Sequence, residues 1–151
     1  MTLDVHVRNG RTFLATKLFL PGRANGLGVV FSHGWGGAHL FDDLHAFLAD
    51  TGVTVASMDQ RGYGQSSGKA VLAKWPEYAT ADALTWTARI APRPVIVVHA
   101  RGDEVVPFAH AEMIRDTGGA RLWDFPGGDH RLQTIDRPAL FERIRQALTA
   151  A

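Results

Sequence analysis

The sequence predicts an α/β fold: a three-layer sandwich with a mostly parallel sheet, opened by an N-terminal hairpin. Three observations lead there. Short, almost wholly apolar runs, "LGVVFSHG", "VTVASMD" and "PVIVVHA", have the character of strands covered on both faces. Between and after them lie stretches whose apolar residues recur at helical spacing. Glycine-containing loops, "SHGWGG", "ARGDEVVP" and "PGGDHR", follow three of the strands. Such alternation is what a parallel sheet requires, since each parallel strand needs a crossover before the next.

Taken in order, Val5 to Val7 and Thr12 to Leu20 mix apolar residues with β-formers, and Asn9 with Gly10 supplies the turn of a hairpin. "PGRANG" is a loop. The run "LGVVFSHG" is expected to lie centrally in the sheet. Leu40, Phe41, Leu44, Phe47 and Leu48 then share one helical face while Asp42, Asp43, His45 and Asp50 take the others, with Gly52 as the stop. "VTVASMD" is the next buried strand. A weaker helical pattern covers about Tyr78 to Ala88, before Pro92 and Pro94 break the chain. After "PVIVVHA", Pro107 opens a helix to about Arg115 that Gly118 and Gly119 end. "ARLWDF" is the last strand. The closing helix carries Leu140, Phe141, Ile144, Ala147 and Leu148 on its apolar face, with Asp136 as N-cap.

Length and composition narrow the function. The 151 residues suit a single domain over 1–151, and 46% hydrophobic with 21% charged residues can build an ordinary core. A formal charge of +1 offers no broad field for nucleic acid or an anionic membrane. The absence of cysteine excludes disulfides, a thiolate nucleophile and thiolate metal ligands, and it fits a reducing cytoplasm. The first residues lack the apolar stretch of a signal peptide, and no run is long enough to span a bilayer.

In open α/β sheets the chemistry gathers on loops beyond the carboxyl ends of the strands. An acid and then a histidine, each on such a loop, form the support half of a nucleophilic triad: the carboxylate orients the imidazole that moves the proton. Asp103 and His130 are those candidates. For His33 as a metal ligand there is no second histidine at supporting spacing, so no metal is assigned. "GWGG" lacks the Lys-Ser/Thr ending of a phosphate loop and the full dinucleotide fingerprint, so no cofactor is implied. Ser32 and Ser57 sit inside strand runs, where satisfied core hydroxyls are expected.

At this point the chain resembles the α/β-hydrolase family over nearly its whole length: "TKLFLPG", "VVFSHGWGG", "VTVASMDQRGYGQSSG", "PVIVVHARGDEVVP" and "GGDHRL" occur in that family's order. The resemblance implies Asp103 as triad acid, His130 as general base, and amides of Gly34, Trp35 and Gly36 as the oxyanion side. It also implies chemistry on a small-molecule ester or related acyl substrate. The segment between Gly68 and Pro94 holds one crossover but not the family's nucleophile strand, its helix and a further strand, so the chain resembles a shortened member without the usual elbow.

"GQSSG" therefore carries two readings. Ser66 completes a G-x-S-x-G pattern and keeps the order Ser, Asp, His, which makes it the best available nucleophile. It also matches the family's "DxRGxGxS" stretch through Asp59, Arg61, Gly62, Gly64 and Ser66, whose serine is not a nucleophile. Two functions follow: a compact esterase-like hydrolase using Ser66, Asp103 and His130, or an inactive scaffold that binds a ligand or partner. Loss of whole elements would uncover apolar surface, for which a homodimer is the expected remedy.

Overall fold

The computed structural model describes residues 1–33, 37–69, 83–90 and 92–150. The chain divides into two compact units, Met1–Leu72 with Phe141–Ala151, and Ala73–Leu140.

The first unit begins with the hairpin. Strands β1 (Thr2–Asn9) and β2 (Thr12–Phe19) pair antiparallel with Asn9 opposite Thr12, so the two-residue turn is Gly10 and Arg11 rather than the Asn9 and Gly10 expected, one position later because the ladder extends to Asn9. Gly10 takes φ 60°, the left-handed value such tight hairpin turns need. Strand β3 (Gly28–Ser32) runs parallel to β4 (Thr54–Met58), and β4 pairs antiparallel with β2, giving the order β1-β2-β4-β3. This sheet is mixed, because a hairpin strand rather than a crossover strand lies beside β4.

Among the described residues of this unit β3 ends the sheet rather than lying centrally in it, with Val30 75% exposed. Apolar content alone does not separate a strand with two neighbours from one with a single neighbour.

A 3-10 turn (Ala38–Phe41) leads into helix α1 (Asp42–Asp50), which packs on β4 and β2. Leu48, Val53 and Val55 are almost completely buried, each worth about 1.5–3 kcal/mol of burial. His45, placed on a polar face by its spacing, is also fully buried. Its ring lies 5.1 Å from that of Phe19 and 4.6 Å from that of Phe31, so the strands beneath the helix turn this position inward. Desolvation lowers its pKa, against the opposing pull of Asp42.

In the second unit, helix α2 (Ala83–Ile90) overlaps the expected helical stretch and runs two residues past Ala88, while Tyr78 to Asp82 fall outside the described residues. Strands β5 (Ile96–Ala100) and β6 (Arg121–Phe125) pair in parallel, joined by helix α3 (Phe108–Gly118). Pro107 caps α3 at its start and Gly119, at φ 67°, at its end. Trp123 and Phe125 are buried in this unit. Helix α4 (Arg137–Thr149) starts as expected: the Asp136 carboxylate accepts the Ala139 N–H at 3.0 Å. No helix among the described residues is long and apolar enough to cross a membrane.

Candidate active site

Two loops of the second unit build the site. The first leaves β5 at Ala100 and turns back at once, with the Asp103 N–H bonded to the Ala100 carbonyl at 3.2 Å. Oδ1 of Asp103 then accepts the N–H groups of Val105 at 2.8 Å and Val106 at 2.9 Å. The second loop leaves β6 through Gly127 and Gly128, both at positive φ. Downstream, Oδ1 of Asp129 accepts the Gln133 N–H at 2.7 Å, which fixes the turn carrying His130.

Glycine lets the two loops meet. The Gly102 N–H donates to the Gly127 carbonyl at 3.0 Å, and a Cβ on Gly102 would stand 2.6 Å from the Gly128 oxygen. Gly128 is equally confined, since its own Cβ would fall 2.8 Å from that of Ala100. The approach brings His130 Nδ1 to 2.9 Å from Asp103 Oδ2. A carboxylate only accepts, so Nδ1 carries the proton and Nε2 of the neutral ring is left with its lone pair.

The pair is asymmetric in exposure: the Asp103 side chain is 6% exposed and that of His130 46%. Desolvation pushes Asp103 upward, but the Val106 N–H, the His130 ring and the Val105 N–H together outweigh it and hold the carboxyl at about 2. Asp103 is thus a fixed anion behind a partly open imidazole. Beside His130 lies an open groove of about 480 Å³, lined by Glu104, Val105, Asp129, Arg131 and Thr134 among others.

Ser66 belongs to the first unit, where its hydroxyl is occupied on both sides. It donates to the Asp59 carbonyl at 2.7 Å and accepts the Ala15 N–H at 2.8 Å. Ser67 does the same for Phe13, accepting its N–H at 2.8 Å and donating to its carbonyl at 3.2 Å. Ladder pairing of β2 with β4 ends at Thr16 opposite Met58, and these two serines continue it along β2 with side-chain oxygens. Gly34, Trp35 and Gly36 lie outside the described residues.

Neither remaining serine is the satisfied core hydroxyl expected. Ser32 is exposed and accepts from Gln60 Nε2 at 3.1 Å. Ser57 is buried, yet its hydroxyl has no hydrogen-bond partner among the described residues. It lines a separate cleft of about 360 Å³ in the first unit, with Asp4, Lys17, Asp42, Asp59 and Tyr63 among the other walls. The sequence held no sign of this cleft, because it depends on β1, β2, β4 and α1 coming together. His33, next along from Ser32, is buried and accepts the Gln60 N–H on Nε2 at 3.0 Å, which ties β3 to the loop after β4.

Solved structures share this architecture. A predicted CIB-like hydrolase from Thermoplasma acidophilum superposes with a TM-score of 0.75 at 14% identity, over 100% of this chain and 99% of its own. The esterase Pf2001 of Pyrococcus furiosus gives 0.79 at 14% identity, over 99% and 92%. XC6422 from Xanthomonas campestris, an α/β serine hydrolase without a lid, gives 0.67 at 14% identity, over 99% and 92%. No protein-family model and no curated protein matches the sequence. The fold is therefore that of the α/β hydrolases, and identity this low speaks to the fold alone.

Proposed function

We propose that this chain is an esterase-like hydrolase in which Asp103 and His130 supply the acid–base half of the chemistry for a small ester or related acyl compound. The observation that carries the reading is the 2.9 Å contact between His130 Nδ1 and a buried carboxylate that is itself anchored by two amides. An imidazole so held presents Nε2 as a base of fixed orientation. Two nucleophiles suit it, Ser66 and water. Freeing the Ser66 hydroxyl orphans a backbone donor and a backbone acceptor, at about 1–3 kcal/mol for each buried group, and this favours water.

In the reaction, His130 Nε2 takes a proton from water as the water oxygen bonds to the acyl carbon. The tetrahedral oxyanion then collapses, the bond to the leaving alcohol breaks, and His130 returns the proton to that alcohol. Asp103 stays ionised and stabilises the imidazolium. Amides of Gly34, Trp35 and Gly36 are the candidates for the oxyanion, on the family resemblance.

The test is turnover of a panel of short-chain nitrophenyl esters together with labelling by a fluorophosphonate probe. Turnover is expected to fall about 100-fold or more in His130→Ala and to survive in Ser66→Ala once corrected for folded fraction, with no serine labelled. Labelling that vanishes in Ser66→Ala would instead make Ser66 the nucleophile. Absence of turnover across the panel would leave the second reading, a non-catalytic scaffold. That reading draws on the occupied Ser66 hydroxyl and on the cleft holding Ser57, whose hydroxyl has no hydrogen-bond partner among the described residues.

A further inference from the structure

A second imidazole faces the same carboxylate. His99, in strand β5, has Nδ1 2.8 Å from the Ala100 carbonyl, which can only accept, so Nδ1 carries a proton. Its Nε2 lies 3.6 Å from Asp103 Oδ2, the very oxygen that receives His130. This Nε2 is buried and has no hydrogen-bond partner among the described residues. In the neutral ring a bare lone pair therefore points at an anion, and only a protonated ring turns the contact into an attractive one.

We infer that His99 is a positioning residue that shares the Asp103 carboxylate with His130, so that the two imidazoles compete for one oxygen and proton uptake by either weakens uptake by the other. The inference rests on Asp103 and His130 being the acid–base pair. Geometry around His99 leaves it little else to answer to. Phe108 of α3 packs edge-on against its ring, with centroids 5.6 Å apart. Across the ladder stands Asp124 of β6, already held by Arg101 through guanidinium nitrogens 2.7 Å from Oδ2. The Arg101 guanidinium also lies 4.3 Å from the Phe108 ring centroid. Oδ1 of Asp103 is taken by two amides, so the rivalry is confined to Oδ2.

Two cations separated by one shared carboxylate repel across a few ångströms, and at the near-water screening of the half-exposed His130 ring this changes proton affinity by between about two- and tenfold. The experiment follows the ring nitrogens of ¹⁵N-labelled full-length protein by NMR through a pH titration, with each histidine assigned by substitution. In the wild type the His130 curve is expected to be broader than a one-proton step. In His99→Phe, which keeps an aromatic ring against Phe108, it sharpens to a single step displaced to higher pH by about 0.3 to 1 unit, equivalent to about two- to tenfold tighter proton binding. His99→Gln serves as a second variant should the first fold poorly, and is expected to sharpen the curve likewise.

A His130 curve of unchanged shape and position in folded His99→Phe or His99→Gln overturns the inference. Asp103→Asn separates the two levels. If it displaces the His130 curve while the His99 variants do not, the pair stands and only the sharing falls; if it leaves His130 unmoved, the pair itself is refuted.

Discussion

Replacing Ser66 by alanine deletes one oxygen that makes two hydrogen bonds, at 2.8 Å to the Ala15 N–H and 2.7 Å to the Asp59 carbonyl. Ser66 is only 9% exposed, so water does not readily take over. Leaving a buried donor unpaired costs about 1–3 kcal/mol, and a carbonyl with a second lone pair costs less; together about 2–3 kcal/mol is expected. For a domain of this size that lowers Tm by about 5–10 °C. Ser67→Ala is the matched control, because Ser67 makes bonds of similar length to Phe13 in an exposed setting where water can replace them, at about 0.5 kcal/mol. The assay is urea unfolding followed by tryptophan fluorescence, comparing midpoints at equal slope. A Ser66→Ala protein no less stable than Ser67→Ala, with hydrolysis abolished, would refute the structural account of this hydroxyl and return Ser66 to the role of nucleophile.

Three further outcomes follow from the geometry. Asp103 is depressed to about 2 from an ordinary 3.8, so its contribution to stability is present above the ordinary value and fades as pH falls through about 2; the stability gap between wild type and Asp103→Asn, large near neutrality, should close in acid denaturation curves. Gly102→Ala places a Cβ 2.6 Å from the Gly128 oxygen and forces the two site loops apart, so ester turnover should drop about tenfold or more while far-UV circular dichroism stays unchanged. His45 has a lowered pKa through burial, so the unfolded chain takes up its proton first and stability declines as pH falls below about 6.5; His45→Leu should flatten the slope of urea midpoints between about pH 7 and 5, and an unaltered slope would count against that assignment.

Much of the fold was legible because it depends on local rules. The hairpin followed from β-formers around a left-handed glycine, α3 from Pro107 and Gly119, and α4 from its apolar spacing behind Asp136. Asp103 and His130 stood out by their placement on loops after strands, and the structure sets them in contact. Other features escaped for a common reason. The spacing around His45 describes a helix face but not the aromatic rings that cover it from Phe19 and Phe31. Likewise the letters of "GQSSG" state a spacing and say nothing of the bare edge of β2 that two serine hydroxyls complete.

Sequence by itself determined the succession of strands and helices, and which two loops carry the carboxylate and the imidazole, since each of these is set by neighbours a few positions apart. Only the tertiary structure decided that β3 ends its sheet among the described residues, that Gly102 and Gly128 let one loop lie against the other, that His99 faces Asp103, and that the Ser66 hydroxyl is bound to Ala15 and Asp59. Those outcomes depend on which distant backbone or ring arrives to meet each side chain, and distances of a few ångströms across the fold are written in no local spacing.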